Sequence, residues 1–328
     1  MKNEETLAAW KNPILKGEFA DPDIQRFGGK FYIYPTTDGH PGWSGWQFRC
    51  FSSTDLSEWQ DCGLILDVKN DAVSGEENEN GVPGVPWAVG SAWAPTIGER
   101  DGKYYYYFCA KRPDGTSCIG VATADSPEGP FRAEPEPLLT PEVCMREAGI
   151  RGGQTIDPSV YMDDGRAYLL FGNGYGAIVE LAEDMVSIKP GTMHRYHGTY
   201  DLRESIIVVK RGGRYHFTWS CDDTGSENYH INYGVSDSLY GDIEYIGTVL
   251  EKRPEEDILG TGHHSILHIP ETDEYYICYH RFATPLGRYD HGFGFHRETC
   301  LDRLTFDEKT GLMNKVTPTN GTPSAENK

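Results

Sequence analysis

Three carboxylates, an imidazole and an indole stand at one phase of an internal repeat. Asp21, Ala94 (directly after Trp93), Asp157, Glu204 and His264 each lie eleven positions before an aligned tyrosine, at Tyr32, Tyr105, Tyr168, Tyr215 and Tyr275. Carboxyl groups do chemistry in pairs. One, kept protonated, gives a proton to a leaving group, while another, kept ionised, takes one from an attacking water. Singly, each residue has an ordinary explanation. Asp21 and Asp157 precede prolines, and Asp-Pro starts turns. Glu204 suits a solvated strand end, and Trp93 and His264 suit a packed core. Their recurrence at one phase points to a site, because a buried unpaired carboxylate costs on the order of several kcal/mol.

The elements that must position these residues are short strands. Five segments share one pattern: an extended stretch, a Gly- or Asp-rich turn, then an aromatic strand. The turns Gly28-Gly29, Asp101-Gly102, Asp164-Gly165 and Gly212-Gly213 supply the positive φ of a tight hairpin. The fifth segment has Pro270, Glu271, Thr272 and Asp273 there instead, which predicts a longer turn. After the first, second and fourth hairpins come a strand, an SxD-type turn and a last strand. The unit is therefore four antiparallel strands, the third copy being shortest, from Asp157 to about Gly191. Five such units predict an all-β fold, a five-bladed β-propeller forming a single domain over residues 1–318, with a polar, frayed tail over 319–328. A sandwich or solenoid has no need of one repeated turn and aromatic spacing. No run of helical periodicity stands out. In a propeller the innermost strands line a central channel, so the residues that begin them meet around one axis.

The 328 residues carry 30 Lys and Arg against 50 Asp and Glu, a net charge of −20. That argues against a nucleic-acid or anionic-membrane partner, which needs clustered cations. No stretch approaches the ~18 apolar residues of a membrane span. The N-terminal residues MKNEETLAAWKNPILKG contain no apolar h-region, so a cytoplasmic location is expected, or a secreted one if a signal has been removed. Eight scattered cysteines without a CxxC pair read as free thiols. No His/Cys spacing resembles a zinc site. Gly172, Gly174 and Gly176 follow a strand without opening a helix, so they make no phosphate loop.

The ordered motifs resemble those of glycoside hydrolase family 43. They are NPIL-x-G-x-x-ADPDI at Asn12 to Ile24, WAP at Trp93 to Pro95, IDPSV at Ile156 to Val160, RES at Arg203 to Ser205, GHHS at Gly262 to Ser265 and HRETCLDRL at His296 to Leu304. The resemblance implies a five-bladed propeller with three acids in its cavity: Asp21 as general base, Asp157 orienting the proton donor and tuning its pKa, and Glu204 as general acid. It implies Trp93 and Arg297 at the terminal sugar. It also implies His264 at the centre, associated in some members with calcium, which would reach it through water because calcium prefers oxygen ligands. Otherwise no cofactor is required. Thr96 stands where the family often has Asp or His, and His263 beside His264 leaves two histidines competing for the axis. No C-terminal β-sandwich follows, which many family xylosidases carry.

The expected reaction is inverting hydrolysis of a glycosidic bond. An exo-acting α-L-arabinofuranosidase on plant cell-wall oligosaccharides is expected first and a β-D-xylosidase second. A catalytically inactive sugar-binding propeller and a protein scaffold are the readings from other classes. Trp43 and Trp46, in the loop Thr36 to Phe48, and Trp87, in the loop Val68 to Ser91, are expected to contact sugar, since aromatic faces pack on sugar C–H faces. Trp59 is expected to pack, and His280, Arg281, Arg288 and His291 to add polar contacts.

Overall fold

The structure, a computed structural model, describes residues 10–69, 81–288 and 293–321. Five antiparallel sheets follow one another along the chain. Blade 1 holds β1 (Phe19–Phe27), β2 (Lys30–Thr37), β3 (Gln47–Ser53) and β4 (Gln60–Asp67). Blade 2 holds β5 (Gly90–Arg100), β6 (Lys103–Lys111), β7 (Ser117–Ala124) and β8 (Arg132–Ala133). A helix, α1 (Pro141–Ala148), leads to blade 3, with β9 (Ser159–Asp163), β10 (Arg166–Phe171), β11 (Ala177–Glu180) and β12 (His194–Arg195). Blade 4 holds β13 (Leu202–Arg211), β14 (Arg214–Cys221), β15 (His230–Ser236) and β16 (Glu244–Leu250), and blade 5 holds β17 (Gly262–Ile269), β18 (Glu274–Phe282) and β19 (Arg297–Leu304).

The hydrophobic core is a ring of five clusters, each shared by two neighbouring blades. Tyr32 and Tyr34 of blade 1 pack with Tyr106 and Phe108 of blade 2. Tyr105 and Tyr107 of blade 2 pack with Leu169 and Phe171 of blade 3, and Tyr168 with Phe217 and Trp219 of blade 4. Tyr233 of blade 4 meets Tyr275 and Tyr279 of blade 5. The ring closes where Tyr276 and Leu301 of blade 5 meet Ile24 and Phe31 of blade 1. Alternation along each strand feeds one face to each neighbour, which is why the second strand of each blade reads as aromatic or apolar on both faces. The molecule is a five-bladed β-propeller.

Four expectations about the fold need correction. Blade 5 has three strands, not four. Its outer strand is covered instead by the N-terminal segment: the Asn12 side chain donates to the Leu301 carbonyl (3.1 Å) and accepts from its N–H (2.9 Å), and the Trp10 indole donates to the same carbonyl (2.7 Å). A side-chain amide thus does the work of a strand edge. Blade 3 runs past Gly191 to Arg195. The helix was not expected, because eight residues are too few for periodicity to show. Its ends are nonetheless written locally, with the Thr140 hydroxyl accepting from Val143 N–H, Pro141 at the first position and Gly149 in the left-handed region behind it. Finally, Thr319 and Asn320 are pinned rather than frayed. Thr319 donates from its hydroxyl to Asp302 (2.7 Å), and Asn320 accepts from Arg281 (2.5 Å). Residues 322–328 lie outside the described residues.

All eight cysteines are free, as expected. No helix of the described residues is long and apolar enough to cross a membrane.

Candidate active site

The inner strands of blades 1, 2, 4 and 5 each carry a bulge near their start. Counting six residues back from the last strand residue before each hairpin gives Asp21, Ala94, Asp157, Ser205 and His263. All five have positive φ, at 47°, 36°, 60°, 56° and 39°. Left-handed backbone at non-glycine residues costs roughly 1–3 kcal/mol each and concentrates at functional sites. Pro follows in three of the five, and its ring disfavours the right-handed helical region for the residue before it. The bulge breaks strand pairing between Ala20 and Asp23, Trp93 and Thr96, Glu204 and Ile207, and Gly262 and His264. Four bulges, and in blade 3 the left-handed Asp157 just ahead of β9, turn five chain segments toward the axis.

This geometry corrects the histidine assignment. The hairpins of blades 1 to 4 close over two residues, but blade 5 has four between Ile269 and Glu274. Counting from the tyrosine slips there by one, so His263 occupies the position equivalent to Asp21. Its Nδ1 is 3.4 Å from Asp21 Oδ1. His264 lies in the axial cavity as well, but its Nε2 is 2.6 Å from the Thr218 hydroxyl and its Nδ1 has no partner. In blade 4 the same count falls on Ser205, and Glu204 enters the site from one residue earlier.

The three acids converge and are buried. Asp21 Oδ1 accepts from Arg297 Nη1 (3.0 Å) and lies 3.0 Å from His280 Nδ1. Burial alone would raise its carboxyl, but Arg297, His263 and His280 together hold it well below the ordinary carboxylate value. Arg297 is itself fixed by Asp38, which accepts from its Nε (2.8 Å), Nη2 (3.2 Å) and backbone N–H (3.0 Å).

Glu204 has both oxygens occupied. Oε1 accepts from the Tyr229 hydroxyl (2.7 Å) and Oε2 from the Asn173 amide (2.5 Å). Burial, then the charge of Asp21, raise its carboxyl above the ordinary value against these two donors. Asp157 is pushed well above its ordinary value by burial first, then by Glu204 and Asp21. One Asp157 oxygen has no hydrogen-bond partner. Burial and mutual repulsion thus raise the Asp157–Glu204 pair, so that together they release protons less readily than isolated carboxylates, while Asp21 is favoured in its ionised form.

Trp93 and Trp43 sit together. The Trp93 indole donates to the Trp43 carbonyl (2.6 Å), and the Trp43 indole donates to the carbonyl of Gly294 (2.6 Å), three residues before Arg297. Trp46 stands 39% exposed with its ring 5.4 Å from that of His40. Trp87 is not at the site. It is core, stacked on Phe108 at 6.0 Å with glycine at position 120 making room for it. Residues 70–80 of its loop lie outside the described residues. Trp59 packs against the blade 5–blade 1 cluster, as expected. His280 belongs to the acid cluster, Arg281 pairs with Glu298 (2.8 Å) away from it, and His291 lies outside the described residues. Sequence reasoning missed Asp38, Asn173, Thr224 and Tyr229. Thr224 accepts a bond from Arg297 (3.0 Å). No repeat phase marks these residues; only Gly262, beside the histidines, signals that something large lies against it.

A calcium ion fits this donor set poorly. Among the described residues, Asp157, Glu204 and His263 offer one ligand atom each within 4.8 Å of one another. Calcium takes about 6–8 oxygens, while Glu204 already accepts from Tyr229 and Asn173. The axial cavity beneath, about 20 Å³, has room for one water-sized molecule. His264 contributes a single free nitrogen there, which makes no calcium cage.

Comparison with known proteins agrees with this geometry. Residues 10–310 match the family described as Glycosyl hydrolases family 43. A β-D-galactofuranosidase of Aspergillus niger is 32% identical over 318 residues, covering 92% of this chain and 84% of that protein. A xylosidase/arabinosidase of Humicola insolens is 31% identical over 308 residues, covering 76% and 84%. A crystal structure of a β-xylosidase/α-arabinofuranosidase from a compost microbial metagenome, in complex with xylotriose and in a calcium-free form, superposes with a TM-score of 0.73 at 25% identity, covering 95% of this chain and 99% of that one. The chain belongs to glycosyl hydrolases family 43, and it is a glycoside hydrolase.

Proposed function

We propose that this hydrolase is exo-acting and inverting, and that it releases terminal α-L-arabinofuranosyl residues from plant cell-wall oligosaccharides. The observation that carries the mechanism is the opposite treatment of two acids in one cavity: Arg297, His263 and His280 favour the ionised form of Asp21, and burial favours the protonated form of Glu204. Glu204 gives its proton to the glycosidic oxygen as the bond from the anomeric carbon to that oxygen breaks. Asp21 takes a proton from the water whose oxygen attacks the same carbon from the opposite face. The products are a free sugar of inverted configuration and a shortened alcohol. Glu204 is then ionised and Asp21 protonated, and exchange with solvent resets both. Asp157 keeps Glu204 supplied with a proton by sharing the negative charge of the pair.

The sugar preference rests on the relatives. Of the three reported above, one is named for galactofuranose, and the other two carry arabinosidase or arabinofuranosidase beside xylosidase in their names. α-L-Arabinofuranosides and β-D-galactofuranosides share their ring hydroxyl stereochemistry, the latter extended by one carbon. The xylotriose complex favours a second reading, a β-D-xylosidase. The test is nitrophenol release from the α-L-arabinofuranoside, β-D-galactofuranoside and β-D-xyloside, with wild type and Asp21→Ala in parallel. Fastest turnover of the arabinofuranoside, lost in the variant, is expected. Fastest turnover of the xyloside would establish the second reading instead.

A further inference from the structure

Between the acid and the base stands a stacked pair of rings. The Tyr229 hydroxyl donates to Glu204 Oε1 (2.7 Å). Its ring lies flat against the imidazole of His280, with centroids 5.5 Å apart and planes 8° from parallel. His280 Nδ1 is 3.0 Å from Asp21 Oδ1 and 3.2 Å from the Asp21 backbone nitrogen. Its Nε2 is buried without a partner. The Asp21 backbone N–H donates to His280 Nδ1, and the same nitrogen lies beside the Asp21 carboxylate, so the ring is held against both the main chain and the side chain of the base.

The slot for Tyr229 is built by a glycine. Gly262 pairs with His280 across β17 and β18. A Cβ on Gly262 would stand 2.3 Å from Tyr229 Cδ1 and Cε1, closer than any real contact. Its φ lies outside the left-handed region, so space rather than backbone freedom demands glycine here. Tyr229 itself is fully buried. Burial first, then the Glu204 charge, raise its phenol well above the ordinary value, so it remains a donor.

We infer that Tyr229 is a positioning residue for the proton donor and His280 is the shelf that ties it to the base: the stacked pair fixes Glu204 relative to Asp21 and stabilises Glu204 once its proton has left. This rests on the acid and base assignments proposed above. Other groups face the same carboxyl. Asp21 reaches it from β1, Cys109 from β6, Asp157 from ahead of β9, Arg203 from its own strand and His263 from β17. Among the described residues, only Tyr229 and Asn173 donate hydrogen bonds to it.

The test uses full-length wild type, Tyr229→Phe and His280→Asn. Tyr229→Phe keeps the ring and removes the hydroxyl. His280→Asn keeps an amide donor toward Asp21 and removes the stack. The readouts are thermal stability, the pH profile of kcat/KM on the nitrophenyl glycoside that wild type cleaves best, and kcat on the corresponding disaccharide. A donor to a charged group favours its ionised form, so its loss moves the alkaline limb of Tyr229→Phe up by about one pH unit. The disaccharide rate is expected to fall about tenfold while the rate on a dinitrophenyl glycoside is little changed, because departure of a good leaving group needs little protonation. His280→Asn is expected to move the alkaline limb the same way and also to raise the acid limb, because His280 helps to hold Asp21 low. An unmoved alkaline limb in folded Tyr229→Phe, with wild type showing a bell, overturns this inference and leaves the acid and base assignments standing. Wild type without any bell-shaped profile overturns those assignments and this inference with them.

Discussion

Arg297 reaches Asp21 with Nη1 at 3.0 Å while Asp38 occupies its Nε and Nη2. The guanidinium is therefore shared between a carboxylate that reacts and one that does not. Asp38 keeps the cation from collapsing fully onto Asp21, which would leave the base weaker. All three groups are buried, so removing one leaves a charge short of a partner, at about 3–5 kcal/mol. We expect Asp38→Asn to lower the melting temperature and to cut kcat/KM by about 10–100-fold. The acid limb of its pH profile should not rise, because Arg297 then acts on Asp21 alone. An acid limb that rises would mean that Asp38, not Arg297, governs the base.

Glu204 and Asp21 differ in what their loss should do. Removing a general acid or base typically costs about 10²–10⁴ in rate. Asp21→Ala should lose that much on every substrate, since each needs the attacking water. Glu204→Ala should lose it on oligosaccharides and keep most of its rate on dinitrophenyl glycosides. Rates of both variants on the two substrate kinds decide the matter, and the reverse ranking would exchange the two roles.

The active form carries ionised Asp21 and protonated Glu204. Asp21 is lowered, so activity is present above its value and is lost only as pH falls well below the ordinary carboxylate range. Glu204 is raised, so activity is lost as pH rises through its value. A broad bell on the acid side of neutrality follows. Asp157→Asn removes a neighbouring negative charge, which makes Glu204 easier to ionise. Its alkaline limb should fall by about one pH unit. A limb that stays put would show that Asp157 already carries the shared proton across that range.

Calcium should not be needed for turnover. Glu204 already accepts two hydrogen bonds and Asp21 one from Arg297, and the cavity below them is about 20 Å³. Exhaustive chelation followed by assay is expected to leave kcat within about twofold, and calcium addition to leave the melting temperature unchanged. Loss of activity on chelation, restored by calcium, would place an ion at the axis after all.

The features that were legible in the sequence are those written locally. Gly28-Gly29, Asp101-Gly102, Asp164-Gly165 and Gly212-Gly213 have positive φ at both turn residues, as two-residue hairpins require. With the aromatic strands they were enough to give five blades and to bring Asp21, Asp157 and Glu204 together. The fifth turn broke the count. Its two extra residues moved the equivalent position from His264 to His263. Long-range features left no local trace. The cover on β19 comes from Asn12 and Trp10, nearly 300 residues away. Tyr229 and Asn173 reach Glu204 from different blades, and nothing in the spacing of three isolated residues announces that. Trp87 was misjudged because a tryptophan in a Gly-rich loop reads as exposed, whereas the loop folds its ring onto Phe108.

The stereochemical outcome tests the central claim most directly. Hydrolysis of the best nitrophenyl glycoside is followed by proton NMR from the first minutes, before the free sugar mutarotates. Water delivered by Asp21 to the face opposite the leaving group predicts that the inverted anomer appears first and the retained one grows in only by mutarotation. The retained anomer appearing first would mean a covalent glycosyl intermediate, and Asp21 could not then be a base acting on water in a single displacement.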